Sequence, residues 1–392
     1  MPTRKIASVT HAQEVARRRL PDSAYRYFIG GRGSGAAARA NEAAFERFTF
    51  YPRAAVVHDK RVLATTILGA PASMPLVMAP AGLIRLAWPH AELAAARVAK
   101  AAGIPIGVST FSGESIEDIA RIGAETWFQM YLTGGRAGGE FMIDRAARAG
   151  CRALFVTVDL PVKVPTESPA RPFPTGFDLR TALAYLPELV RRPAWAWRFA
   201  QGGFDLALPN MPPAPDGRRM GFAEAMGVSD ATPTRWGDFA WIREQWKGKL
   251  IIKGIMTADD ARHAVDAGAD GVSVSNHGGN ALDGLPAAVE VLPEIADAVG
   301  GQVELLVDGG VRRGSDVARA VALGARAAMI GRAYIWGLAA AGEDGARQIV
   351  DFMRVSLDAT LGMLGCGDVA DLDRSWLRMP PLPPQAGRRP DF

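Results

Sequence analysis

Cysteine is almost missing from this chain. Cys151 and Cys366 are the only two in 392 residues and lie far apart, which suits a reducing compartment and excludes a disulfide framework or a cysteine-rich metal site. Both are expected to fill core, and no metal is expected. No uncharged run approaches the ~20 residues that a membrane span needs, and residues 1–7 lack the apolar stretch of a signal peptide, so the expectation is a cytoplasmic protein without a membrane partner. A dominant charge sign is lacking too. The 45 basic and 41 acidic residues, formally +4, are scattered along the chain, which favours small anionic ligands and argues against a nucleic-acid surface.

What is present is a globular composition, 48% hydrophobic and 22% charged with 43 glycines, compatible with one large α/β domain. Apolar β-type runs recur at 76–79, 104–109, 127–131, 153–159, 250–254, 271–275, 303–308 and 327–331. Helical spacing fills the intervals. The stretch from Ala258 to Gly268 opens on a Thr257 cap and closes on glycine, as helices commonly do. Eight strand–helix units predict a TIM (β/α)8 barrel spanning 1–392 as a single domain. Residues 1–70 read as an N-terminal helical cap, 160–235 as a long insertion after strand four, and 375–392 as an extended tail that would pack on a neighbouring subunit.

Barrels of this kind place their chemistry at the C-terminal strand ends. Ser109, Gln129, Tyr131, Thr157, Asp159, Lys253, Ser275, His277, Asp308, Arg312 and Arg332 all fall at or just beyond such ends. Capping of the following helices is the plainer reading for Ser109 and Thr157. His277, in Ser275-Asn276-His277-Gly278-Gly279-Asn280, follows a strand directly, and imidazole is the side chain suited to proton abstraction near neutrality; a turn-capping histidine is the competing reading. Asp308-Gly309-Gly310-Val311-Arg312-Arg313-Gly314-Ser315 and Gly331-Arg332 form a glycine-rich pair of turns with cations after the last two strands. This is the pattern of a phosphate cradle, with Ser315 beginning the next helix.

Taken together with Leu20-Pro21-Asp22-Ser23-Ala24-Tyr25-Arg26-Tyr27, Ser73-Met74-Pro75-Leu76-Val77-Met78-Ala79-Pro80, Phe128-Gln129-Met130-Tyr131, Thr157-Val158-Asp159 and Ile252-Lys253-Gly254, the chain resembles, over nearly its full length, the FMN-dependent α-hydroxy-acid oxidase and dehydrogenase family. That family includes the glycolate, lactate and mandelate enzymes. The resemblance implies FMN beside Ala79, Pro80 and Ala81, contacted by Ser109, Gln129, Thr157 and Ser275, with Lys253 at the N1/O2 edge. Asp308, Gly309, Gly310, Arg312, Gly331 and Arg332 would hold the ribityl phosphate. His277 would act as the base while the neighbouring C–H passes a hydride, or its carbanion equivalent, to flavin N5. Asp159 would stabilise the imidazolium, and Tyr131 would donate to the developing centre. Tyr27, Phe111, Tyr131, His277 and Asn280 would face the substrate, Phe111 replacing the tryptophan of many relatives and admitting a bulkier aromatic group.

Two departures from the family pattern bear on the substrate. Asn280 and Thr166 occupy positions where hydroxy-acid enzymes carry arginines that clamp a carboxylate, a charge-assisted contact worth roughly 1.5–3 kcal/mol. An amide suits a neutral lactam or amide carbonyl; the competing reading is a carboxylate held by Lys163 or Arg312 instead. The stretch from Ser275 through Leu282-Asp283-Gly284, with Trp241-Ile242-Arg243-Glu244-Gln245-Trp246 and 331–340, is similar to the mycofactocin-biosynthesis branch, which implies oxidative deamination of a tyrosine- and valine-derived lactam.

The insertion, rich in proline and tryptophan, is expected to be an active-site lid or a subunit contact, with a membrane-facing segment as the competing reading. The resemblance further implies a homo-oligomer, tetramer or octamer, and an electron acceptor that is oxygen, a quinone or a redox protein. The alternatives to lactam oxidation are an α-hydroxy-acid oxidase or dehydrogenase and, more remotely, a barrel that binds a phosphorylated ligand without redox chemistry.

Overall fold

The eight expected strands form and close on themselves in the computed structural model, which describes residues 5–162, 165, 167, 179–201, 207–214, 216–218, 220, 224, 225, 227, 228 and 232–379. They are β1 (Leu76–Met78), β2 (Ile106–Ser109), β3 (Thr126–Met130), β4 (Ala153–Thr157), β5 (Lys249–Ile255), β6 (Gly271–Val274), β7 (Glu304–Val307) and β8 (Ala327–Ile330). All neighbours run parallel, and β8 pairs with β1 to close the barrel. Purely parallel strands are buried on both faces, which is why they read as short apolar runs instead of alternating polar and apolar residues. Helices lie outside. The one after β5, Ala258–Asp266, is capped by Thr257, whose hydroxyl accepts from Asp260 N at 3.1 Å, and the one after β7 opens at Gly314, one residue before Ser315.

Side chains alternate between the two faces of a strand, so residues two apart share the barrel interior. Val77, Trp127, Phe155, Ile251, Leu306 and Met329 belong to one buried interior cluster, with the Trp127 and Phe155 rings 5.7 Å apart. Each such burial contributes roughly 1.5–3 kcal/mol. A short hairpin of Thr65–Ile67 and Ala70–Ala72 closes the N-terminal end with Ile67, Leu68 and Ala72. Two residues further up each strand the interior turns polar at six places: Ser109, Gln129, Thr157, Lys253, Ser275 and Asp308. The remaining two strands contribute Ala79 and Gly331. The period-two pattern that packs the core thus delivers one residue per strand to the floor of the mouth.

Before the barrel come three helices, α1 (Val9–Arg19), α2 (Asp22–Ile29) and α3 (Ala36–Ala44). The last strand is followed by a helix from Arg332 to Leu364, kinked at Ala341 and Gly342. Of the insertion after β4, the helices Leu179–Arg191 and Pro193–Gln201 dock on the flank. Trp195 donates from Nε1 to Leu86 O at 2.8 Å, Arg192 Nε donates to Leu20 O at 2.9 Å, and the hydroxyl of Ser23 donates to Glu188 at 2.8 Å. Leu377–Arg378 pairs antiparallel with Thr49–Phe50 of the same chain, and the tail from 380 lies outside the described residues. Both cysteines are buried; burial pushes the Cys151 thiol up to about 12, with Glu117 and Glu125 adding to it, so it is no nucleophile. Among the described residues no helix is long and apolar enough to cross a membrane.

Candidate active site

A cavity of about 1050 Å³ opens at the C-terminal ends of the strands, at the upper end of the range for small-molecule sites. Ala79, Pro80, Ala81, Ser109, Gln129, Thr157, Lys253, Asp308, Gly309, Gly310, Arg312, Gly331 and Arg332 line it, as do Tyr27, Phe111, Tyr131, His277 and Asn280. Asp159 and Ser275 stand behind His277 and Lys253 and hold them.

The floor is wired across adjacent strands. Ser109 Oγ donates to Gln129 Oε1 at 3.0 Å, and Gln129 Nε2 donates to Thr157 Oγ1 at 2.9 Å. Ser109 Oγ also accepts from Phe111 N at 3.1 Å, so neither it nor Thr157 serves as a helix cap. On the opposite side of the floor Lys253 Nζ donates to Ser275 Oγ at 2.8 Å and faces Asp308 Oδ2 at 3.2 Å, while Ser275 Oγ donates to Asp308 Oδ1 at 2.7 Å. Lys253 and Asp308 are both buried. A buried ammonium is tolerated only when paired and hydrogen-bonded in this way. Asp308, which the resemblance groups with the phosphate, has both its carboxylate oxygens committed to this pair.

His277 is held from several sides. Its φ of 57° lies in the left-handed region, uncommon for a residue with a side chain and frequent at functional sites. Its amide donates to Ser275 Oγ at 3.0 Å, tying it to the lysine network. Nδ1 faces Asp159 Oδ1 and Oδ2 at 3.1 and 3.2 Å, and Nε2 faces the Tyr131 hydroxyl at 3.4 Å. Burial alone would raise the Asp159 carboxyl, but His277 and then Lys253 outweigh it and hold Asp159 below the usual carboxylate range. Gly254, at φ 108° in a bulge of β5, makes room for this carboxylate: a Cβ there would stand 2.5 Å from Asp159 Cβ. Burial, then the charge of Asp159, pushes the Tyr131 hydroxyl well above its ordinary 10, so it remains a donor. Phe111 packs on Tyr131 with ring centroids 5.2 Å apart.

The far end of the cavity suits an anion. Arg312 donates to Glu42 Oε1 and, at 3.1 Å, to Val311 O, but its buried Nε has no partner among the described residues. Arg332 donates to Phe28 O and Gly278 O at 3.1 and 2.7 Å; burial and then the charge of Arg312 bring it down to about 10. Two guanidiniums that repel each other, one with an orphaned donor, line the cavity together with Gly309 and Gly310 at φ 90° and 91° and with Gly331, where a Cβ would meet open space at the start of the last helix. A phosphate would neutralise both cations and use the helix terminus. The residues present therefore fit FMN: the strand-end residues would hold its ring, and Arg312, Arg332 and the glycine turns would hold its phosphate.

Several contributors escape a reading of the sequence. Asn41 of α3 and Asn276 exchange reciprocal amide hydrogen bonds of 2.8 and 2.9 Å, both fully buried, and Asn276 Oδ1 also accepts from Gly279 N at 3.0 Å. Gly310 is pinned against the same helix: a Cβ there would stand 1.9 Å from Asn41 O. Asn280 spends its amide on backbone, accepting from Gly31 N at 2.7 Å and donating to His277 O at 3.1 Å. Tyr27, exposed at the rim, donates to Gly82 O at 3.2 Å. Arg32, which no strand end predicts, also lines the cavity. Thr166 and Lys163 lie outside the described residues.

Residues 16–379 match the family model described as FMN-dependent dehydrogenase. The chain is 43% identical over 380 residues to a pre-mycofactocin synthase of Mycobacterium tuberculosis (strain ATCC 25618 / H37Rv), covering 95% of this chain and 94% of that one. It is 36% identical over 376 residues to an L-lactate dehydrogenase of Caulobacter sp. (strain K31), covering 95% and 98%. Among solved structures, that of a monotopic membrane protein, (S)-mandelate dehydrogenase, superposes with a TM-score of 0.87 at 32% identity, covering 96% of this chain and 100% of that one.

Proposed function

This chain belongs to the FMN-dependent dehydrogenase family and is an FMN-dependent oxidoreductase; from that premise we propose that it oxidises a carbon bearing an amine beside a neutral amide carbonyl, as in the oxidative deamination of a tyrosine- and valine-derived lactam. The observation that carries the substrate class is Asn280. It is a neutral side chain at the cavity mouth, already bound to Gly31 N and His277 O, where a hydroxy-acid enzyme would present an arginine. Identity to the pre-mycofactocin synthase, higher than to the lactate dehydrogenase, agrees with it.

FMN, when bound, supplies the two-electron acceptor. The chain's residues supply the rest. Ionised Asp159 at Nδ1 selects the tautomer in which that nitrogen keeps its proton, leaving Nε2 as the basic atom. Nε2 takes the proton from the substrate's amine or hydroxyl as the electron pair leaves, and Asp159 stabilises the imidazolium that results. Tyr131, on the same side of the ring, donates to the heteroatom. Lys253, held in place by Ser275 and Asp308, directs a fixed donor at the charge that builds up on the floor, the kind of preorganised donor whose removal typically costs about 10²–10³ in rate.

A second reading, oxidation of an α-hydroxy acid, is favoured by the Tyr27 hydroxyl at the rim of the same cavity. Anaerobic mixing of the FMN-loaded protein with the aminolactam, with mandelate and with L-lactate decides between them. Flavin bleaching at lower concentrations of aminolactam is expected; bleaching by the hydroxy acids alone overturns the lactam reading.

A further inference from the structure

We propose that Arg32 binds the substrate's carbonyl oxygen, a guanidinium brought by the N-terminal segment to the side of the cavity where Asn280 offers only an amide. This rests on the proposed function insofar as the oxidised carbon lies beside such an oxygen.

The backbone around Arg32 is fastened to the loop that carries the base. Arg32 N donates to Gly279 O at 3.0 Å, and Gly31 N donates to Asn280 Oδ1 at 2.7 Å. On its other side Gly33 N donates to Pro165 O and Gly33 O accepts from Glu167 N, each at 3.1 Å, which links the stretch to the start of the insertion. Positive φ values at Gly31 and Gly33, 92° and 53°, let the chain bend on both sides of the arginine. The position of its Cα is therefore set by the same turn that sets His277.

Its side chain is left unspent. Arg32 is half-buried and lines the cavity with His277, Tyr131 and Tyr27. Its one side-chain contact among the described residues is from Nε to Asn280 O at 3.4 Å, long for a hydrogen bond, and no described carboxylate pairs with it. Lys253, Arg312 and Arg332, the cations of the floor and of the anion end, each have closer partners. Arg32 also sits near enough to Tyr27 for its charge to act on that hydroxyl. A planar guanidinium whose terminal N–H groups have no partner among the described residues, lining the same cavity as a tyrosine hydroxyl and the base, matches an oxygen acceptor on the carbon next to the one being oxidised. The same charge disfavours an ammonium nearby, keeping a substrate amine in the neutral form that can release electrons.

The test uses FMN-loaded wild type, Arg32→Met and Arg32→Lys. Binding of 2-oxo-2-phenylacetamide and of benzoylformate is followed by the change in flavin absorbance, and anaerobic flavin reduction is followed with aminolactam and mandelate. Arg32→Met is expected to weaken binding of the carbonyl ligand and raise half-saturation by the substrate about 10- to 100-fold. Its FMN affinity and melting temperature should stay at the wild-type values, and Arg32→Lys should fall between. Unchanged ligand affinity in Arg32→Met overturns the proposal, as does an equal loss of FMN binding, which would mark a structural role. Reduction of wild type by mandelate and not by aminolactam removes the lactam reading alone, because the two carbonyl ligands still measure the arginine's contact.

Discussion

The floor of the cavity and its mouth are built differently. Floor residues such as Lys253, Ser275 and Asp308 stand at the ends of successive strands, are buried, and bond to one another at 2.7–3.2 Å, as Ser109, Gln129 and Thr157 do at 2.9–3.0 Å. Mouth residues such as Arg32, Tyr27 and Asn280 stand off the barrel strands in segments distant in sequence, are exposed or half-buried, and the side-chain contacts of Tyr27 and Arg32 stretch to 3.2 and 3.4 Å. Rigid strands suit a group that never changes, and loops suit a part that must differ between enzymes sharing one barrel. Such a division lets one barrel pair a cofactor-holding floor with a rim shaped for a particular substrate.

His277→Ala tests the division most severely, because His277 stands where the two regions meet. Its amide is tied to the floor through Ser275, and its ring faces the mouth. Removing the ring is expected to slow substrate-driven flavin reduction by about 10²–10⁴ and leave FMN affinity unaltered, read by stopped flow and by a flavin titration. Simultaneous loss of FMN would show that floor and mouth are not separable. Arg312→Met probes the floor's far end. It removes a charged donor whose Nε has no partner among the described residues, and is expected to raise the FMN dissociation constant about 10- to 100-fold. At saturating FMN the substrate's half-saturation should not move; a parallel shift would mean that Arg312 reaches the substrate.

The same division governs how much can be read from the sequence. Strand ends are legible because a period of two links each floor residue to a core residue below it, Gln129 to Trp127, Thr157 to Phe155 and Lys253 to Ile251. His277 is legible because it stands just beyond β6 and immediately before a glycine pair. Arg32 is not: it lies between glycines in a stretch without periodicity, and its place beside His277 is decided by how that stretch packs on residues 279 and 280. Asn41 and Asn276 are illegible as a pair for the same reason, since each is an ordinary polar residue until the fold brings them face to face. Asn280 is an intermediate case. Its departure from arginine is visible in the sequence, but its bond to Gly31 N, which makes it a fastener for the arginine-bearing turn, is not.

The smallest expected effect concerns that fastening. Asp283 accepts from Ser34 N at 2.8 Å, Ser34 Oγ at 2.7 Å and Ala37 N at 2.9 Å, so one carboxylate grips the end of the Arg32 turn and the start of α3. The Ala37 amide, then the Ser34 hydroxyl, holds its carboxyl down at about 2. A carboxyl lowered by folding contributes stability in full above its ordinary value near 4, and that contribution fades as pH falls from about 4 toward about 2. Asp283→Asn keeps an acceptor but removes the charge, so it should melt slightly below wild type at neutral pH, with the difference constant down to about pH 5 and closing below about pH 4. It should also weaken substrate more than FMN, since the turn it loosens belongs to the mouth. A melting difference that persists undiminished near pH 3, or a loss confined to FMN, would place Asp283 with the floor and end the distinction between the two regions.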